Sequence, residues 1–266
     1  MTRPGLPQAV SAEWIKARSV RSSTGMVLAA FAFSLLGTFL ICAGTTTEGG
    51  SPGHPGDNDI VRDSLAGVWL GQILFAVLAV LVVTSEYSTG TIRATFAALP
   101  RRRLVLGAKS LVTGLVVLLA GLLTATACFL LGQSLLRGNG FDYAGGYPHA
   151  SLTDGPALRA VAGSGLYLAG LALLALGIAA IVRRTATAIT VVLALMFVPP
   201  IAAGMLPEGL SEPLQKLSPM AGLAVQETVE RPDSIPIGPW AGLAVLGAYA
   251  LGALAIAAFL IQRRDA

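Results

Sequence analysis

Charge is what this sequence has least of. Of its 266 residues 12% are Asp, Glu, Lys or Arg and 54% are hydrophobic, with a mean hydropathy of +0.73. That is too little charge to clothe a water-soluble surface. Histidine is nearly missing: His54 and His149 stand without companions at ligand spacing, which argues against a metal centre. The two cysteines, Cys42 and Cys128, do not make a disulfide-built fold; they read either as buried apolar thiols or as one bridge on the outer side. No GxxxxGK[ST] phosphate loop occurs. Gly107-Ala108-Lys109-Ser110 lacks its spacing, so no nucleotide site is expected on this chain.

What is present instead is a set of long uncharged runs. Residues 26–43, 65–83, 111–131, 161–182, 186–206 and 240–261 contain no Asp, Glu, Lys, Arg or His. A helix of about 20 apolar residues, rising 1.5 Å per residue, crosses a hydrocarbon core of about 30 Å. The expected fold is therefore all-α and integral to a membrane. Six transmembrane helices are predicted over 26–43, 65–83, 104–131, 158–182, 186–206 and 240–261, in one transmembrane domain spanning 1–266. The first run is not read as a cleaved signal, because no small-x-small site appears at Ile41-Cys42-Ala43 and five more runs follow.

The flanks of these runs are asymmetric. Segments 1–25, 84–110, 183–185 and 262–266 hold thirteen of the eighteen Lys and Arg residues, with Glu13, Glu86 and Asp265 as their acids. The positive-inside bias predicts that they, and both termini, are cytoplasmic. The net charge of +4 is then a topology signal, with no implication of nucleic acid. Uncharged spans also argue against an ion-coupled carrier, which needs ionisable groups at membrane depth. An intramembrane hydrolase is disfavoured too, since Ser, Thr, Tyr and Gln in the spans have no base beside them.

Outside the spans, four segments stand out. Residues 8–23 read as an amphipathic helix in the inner interface, with Val10, Trp14 and Ala17 on one side and Lys16, Arg18 and Arg21 on the other. After the second span Gly90 breaks the helix. A short helix follows within 88–100, with Ile92, Phe96 and Leu99 at i, i+4 and i+7 and Pro100 as its stop. Such a stripe asks for a docking partner, while Arg101, Arg102, Arg103 and Lys109 read as retention and phospholipid contacts. Arg183 to Thr185 must turn spans four and five into a hairpin, and Pro199-Pro200 should kink or end span five. In the exterior loop 207–239, Ser218-Pro219 opens a short helix to about Val229 that lies on or dips into the outer surface, or is an ordinary exposed loop helix.

The pattern E-Y-S-T-G-T-I-R-A-T after span two, P-R-R-R and G-A-K before span three, and S-A-E-W-I-K-A-R-S-V-R-S before span one resemble the permease subunits of ABC exporters called ABC-2 type. The resemblance covers the whole chain in topology. It implies a multi-pass protein of the cell (plasma) membrane, an interfacial connecting helix with Glu13, Trp14 and Lys16, and a coupling helix with Glu86, Gly90, Thr91, Ile92, Arg93 and Phe96. It also implies a separate ABC ATP-binding subunit carrying ATP and Mg, a second permease subunit in a homodimer or heterodimer, and contact with membrane lipids. The substrate path would lie near spans two and five, with Trp69, Gln72, Phe75, Met196, Phe197 and Pro199 as candidate lining. That lining is apolar with one amide and suits export of an amphiphilic or hydrophobic substrate. A membrane-anchored assembly or immunity factor, which binds a partner without transport, is the rival reading.

Overall fold

A computed structural model describes residues 5–19, 21–45, 58–98, 101–141, 147, 150–231 and 234–263, leaving the side chains at 19, 21, 22, 93, 96–98 and 208 outside that description. His54, His149 and Leu99 fall outside it as well. All regular structure among the described residues is helical. In a lipid environment a helix satisfies its own backbone, which is why long apolar runs take this form. In chain order the elements are α1 (Leu6–Ser19), α2 (Arg21–Gly44), α3 (Ile60–Ser64), α4 (Ala66–Ser88), α5 (Thr91–Ala98), α6 (Arg102–Gly138), α7 (Gly155–Val182), α8 (Thr185–Ala203), α9 (Glu208–Lys216), a 3₁₀ segment (Pro219–Gln226) and α10 (Pro239–Arg263).

Six of these, α2, α4, α6, α7, α8 and α10, are long and apolar enough to cross a membrane, which makes this a multi-pass membrane protein. Their alternation puts α1, α5 and the start of α6 at one end of the bundle. The 3₁₀ segment, α3 and α9 sit at the other. Helix α7 is the axis, packed by α4, α6, α8, α10 and the 3₁₀ segment. Its most apolar stretch is 72% buried, against 22% for α8 and for α10, so the latter two keep broad outward apolar faces.

Several helix ends differ from the predicted bounds: α2 starts at Arg21 rather than 26, α4 runs to Ser88 rather than 83, and α7 starts at Gly155 rather than 158. Helix α6, predicted to stop at 131, continues to Gly138 because its last turns are packed: Gln133 Nε2 donates to Ser64 Oγ at 3.0 Å, and Leu136 is buried beside Cys42, Phe141 and Tyr147. Helix α8 passes through Pro199 and Pro200 and ends within a turn, at Ala203. The α7–α8 hairpin turns where expected. Arg183 takes the left-handed conformation at φ 60°, donates its N–H to Ala179 O at 2.8 Å, and sets its guanidinium 5.2 Å from the centre of the Tyr87 ring.

The segment after Ser218 is the main correction at this end. Ser218 does cap it, with Oγ accepting from Met220 N at 3.2 Å and Pro219 at the first position. The helix is 3₁₀, however, and stops at Gln226, and every residue in it is buried. It lies neither on the membrane surface nor in an exposed loop; it is inserted between α7 and α10. Small residues admit it. A Cβ on Gly163 would stand 2.1 Å from Val225 Cγ2, and one on Gly242 would stand 2.0 Å from Ala221 O. Polar groups then pin it: Gln226 Nε2 donates to Ser164 Oγ at 2.9 Å, and the buried Asp59 carboxylate accepts from Thr228 Oγ1 at 2.7 Å and Val229 N at 3.1 Å.

Gly242 therefore cannot carry a side chain, because the obstructing atom is backbone. Gly247, on the same helix, meets nothing within 4 Å. Gly242→Ala should destabilise by about 1–3 kcal/mol through overpacking, whereas Gly247→Ala should be neutral or slightly stabilising. Thermal unfolding of the detergent-solubilised protein checks the pair. Equal effects would mean that the 3₁₀ segment yields freely.

Candidate functional site

At the α1 end four charged side chains meet. Lys109, near the start of α6, has 5% of its side chain exposed; its Nζ lies 2.7 Å from Glu13 Oε2 and 2.9 Å from Glu86 Oε1. Lys16 lies 2.9 Å from Glu13 Oε1 and 3.0 Å from Glu86 Oε1, with 43% of its side chain exposed. Two carboxylates and two ammoniums form a neutral cluster that ties α1, α4 and α6 together. Lys109 also donates to Val82 O at 3.5 Å, so all three of its protons have acceptors. Burial pulls the Lys16 pKa down, but the adjacent Glu13 and Glu86 carboxylates prevail and raise it above its ordinary value. A raised lysine pKa contributes stability below the unfolded pKa and loses it only as pH climbs through the folded one, so this contribution is complete at neutral pH.

In α1 the buried positions are Ala9 and Glu13, the latter paired with Lys109 of α6, while Val10 and Ala17 are half-buried and Trp14 is 38% exposed. The cluster revises one expectation. Lys109 is no loop cation for phospholipid. It was missed as a site residue, although its neighbours give it away: Val105, Val112 and Thr113, at spacings of three and four, are all buried, so Lys109 shares the inward face of α6.

The three predicted charged residues of this region, Glu13, Lys16 and Glu86, are thus brought together by contacts within the chain. Gly90 breaks α4 as expected, at φ +72°, a conformation that suits glycine. Helix α5 then runs for eight residues, against the ends of α4 and α6. Thr91 is exposed, Ile92 is 7% exposed and already covered by the chain, and the side chains of Arg93 and Phe96 are outside the described residues.

The residues predicted to line a path separate into two groups. Trp69 and Phe197 touch edge to face, with ring centres 5.7 Å apart, and link α4 to α8; Trp69 is 44% exposed and Pro199 is partly buried. Phe75, Met196 and Gln72 are fully buried in the core. Gln72 Oε1 accepts from Tyr167 OH, joining α4 to α7, while its Nε2 is buried with no hydrogen-bond partner. Within one chain these three line no opening.

Among the described residues, cavities open at both ends of the bundle. One, of about 400 Å³, lies at the 3₁₀ end between Trp69, Pro200 and a polar rim that includes Arg62, Gln226 and Glu227. The other, of about 980 Å³, lies at the α1 end. Its wall is apolar, from Met26 and Val27 of α2, Leu78 and Val82 of α4, and Val112 and Val116 of α6; the charged cluster and Arg18 form its rim. Cys42 and Cys128 are buried free thiols, and no group of three His, Cys, Asp or Glu side chains occurs among the described residues.

Removing one member of a buried ion cluster strands its partners, typically at about 3–5 kcal/mol. An exposed pair contributes about 0–1 kcal/mol. Lys109→Met should therefore lower the unfolding midpoint in detergent far more than Lys16→Met. Equal losses would place the weight of the cluster elsewhere. Compared with known protein families and with curated proteins, the sequence matches none.

Proposed function

We propose that this protein is the permease subunit of an ATP-driven ABC transporter of the ABC-2 type, exporting an amphiphilic or hydrophobic substrate. The observation that carries the reading is mechanical. A short helix, α5, lies between two membrane-crossing helices, packed on the ends of both, and the last turn of the helix before it carries Glu86, one member of the cluster that joins α1, α4 and α6. A force applied to α5 reaches three helices through buried ionic contacts. Packed helices that shift between two arrangements need no charge at mid-membrane.

On this reading the α1 end is cytoplasmic, in keeping with its excess of Lys and Arg. A separate ATP-binding subunit, holding ATP and Mg, seats on α5, and α1 serves as the connecting helix. The chain pairs with a second permease subunit through outward apolar faces such as those of α8 and α10, and the path forms between the two subunits. Trp69, Phe197 and Pro199, which are not sealed in the core, are the better-placed candidates to line it; Gln72, Phe75 and Met196 support the wall from behind.

Because Glu86 is bound within the chain, replacing it perturbs the fold as well as any partner. Phe96 and Arg93 make the cleaner test. Phe96→Ala and Arg93→Glu should each cut recovery of the ATP-binding subunit in affinity purification, and ATP-dependent efflux, by tenfold or more, the size of loss that removal of an interface anchor brings. Unchanged co-purification and efflux in both variants would sink the coupling assignment.

A further inference from the structure

The groove of about 980 Å³ at the α1 end has an apolar wall, a charged rim, and a specific imbalance in its hydrogen bonding. Lys109, 4% exposed, has given all three protons to Glu13, Glu86 and Val82, and has none to offer a ligand. Glu86 lines the same groove, and its Oε1 accepts from both lysines. Its Oε2 is buried and has no hydrogen-bond partner. A buried, unmatched carboxylate oxygen is costly to leave without a donor. The terminal torsion of a glutamate is broad and soft, so a donor at the groove wall reaches this oxygen with a small turn of the carboxylate.

The opposite charge is at hand. The cluster of Glu13, Glu86, Lys16 and Lys109 is neutral in sum, and Arg18, exposed and lining the groove, adds one positive charge beyond it. The wall beneath is built from α2, α4 and α6, three helices that cross the membrane. A molecule suited to this groove has an apolar body, a head-group donor for Glu86 and an anion for Arg18.

We infer that the groove is a binding site for a phospholipid with a primary ammonium head group, phosphatidylethanolamine, taken from the leaflet at the α1 end. The ammonium donates to Glu86 Oε2, the phosphate meets Arg18, and the acyl chains lie against Val112, Val116 and Leu78. Phosphatidylcholine supplies the same phosphate and chains, but its methylated nitrogen has no proton to donate. Phosphatidylglycerol supplies an anion and hydroxyls but no cation. The site does not depend on the transport reading, since it follows from the groove and its unmatched carboxylate.

Native mass spectrometry of the full chain, purified in detergent and mixed with defined lipids of identical acyl chains, tests it. The wild type should retain phosphatidylethanolamine about tenfold better than phosphatidylcholine, in line with one charge-assisted hydrogen bond, and better than phosphatidylglycerol. Glu86→Gln should bring the first two to parity, and Val116→Trp, which fills the groove without touching the charged cluster, should reduce retention of both. Equal retention by the wild type, stronger retention of phosphatidylglycerol, or an undiminished preference in Glu86→Gln would overturn the assignment. So would a Val116→Trp variant that keeps its lipid but changes oligomeric state, because the groove would then belong to a second copy. Should Glu86→Gln not fold, the wild-type comparison and Val116→Trp decide the question alone.

Discussion

The α1 end of this protein depends on a buried ammonium. Lys109 sits at 4% exposure inside a helix long and apolar enough to cross a membrane. A buried cation left without partners is costly. The bundle meets that demand by bringing Glu13 from α1 and Glu86 from α4 to the same nitrogen. Helix α1 packs chiefly on α6 and lightly on α2, with the Lys16–Glu86 pair as its tie to α4. Its position, the orientation of its face and the shape of the groove beside it all follow from the charge on Lys109.

The opposite end is held by different means. There the 3₁₀ segment enters the bundle through gaps left by Gly163 and Gly242, and neutral hydrogen bonds from Gln226, together with the Asp59 carboxylate, secure it. Between the two ends the core is apolar, apart from groups such as the Gln72–Tyr167 pair that joins α4 to α7. Polar chemistry is thus concentrated where the chain leaves the hydrocarbon. The α1 end combines an ionic junction, a short helix between two spans and an open groove, and it is there that the proposed coupling and the inferred lipid site both lie.

How much of this is legible in the sequence depends on range. Six spans, the break at Gly90, the cap at Ser218-Pro219 and the turn at Arg183 are local signals, each readable from a few neighbouring residues. The ionic cluster is not local: Glu13 and Lys109 are 96 residues apart, and Lys16 and Glu86 are 70 apart. The charge-free core of the spans led to the view that ionisable groups stand outside them, and for mid-membrane that holds. At the helix ends Glu86 and Lys109 turn inward, and the three- and four-residue spacing of Lys109 with Val105, Val112 and Thr113 was the readable clue. Burial of the 3₁₀ segment was harder to see, because it rests on glycines in two other helices. Tyr167 escaped notice because a lone tyrosine in an apolar run carries no sign of the amide it meets.

The central claim, that the charge of Lys109 fixes α1 against α6, is most directly tested by a distance. Spin labels at Ala12 and Gly107, an exposed position on each helix, would report it by pulsed electron resonance in wild type and in Lys109→Met, with Cys42 and Cys128 replaced by serine. The account predicts one narrow distance distribution with lysine and a broad or displaced one with methionine. An unchanged narrow distribution in Lys109→Met would contradict it.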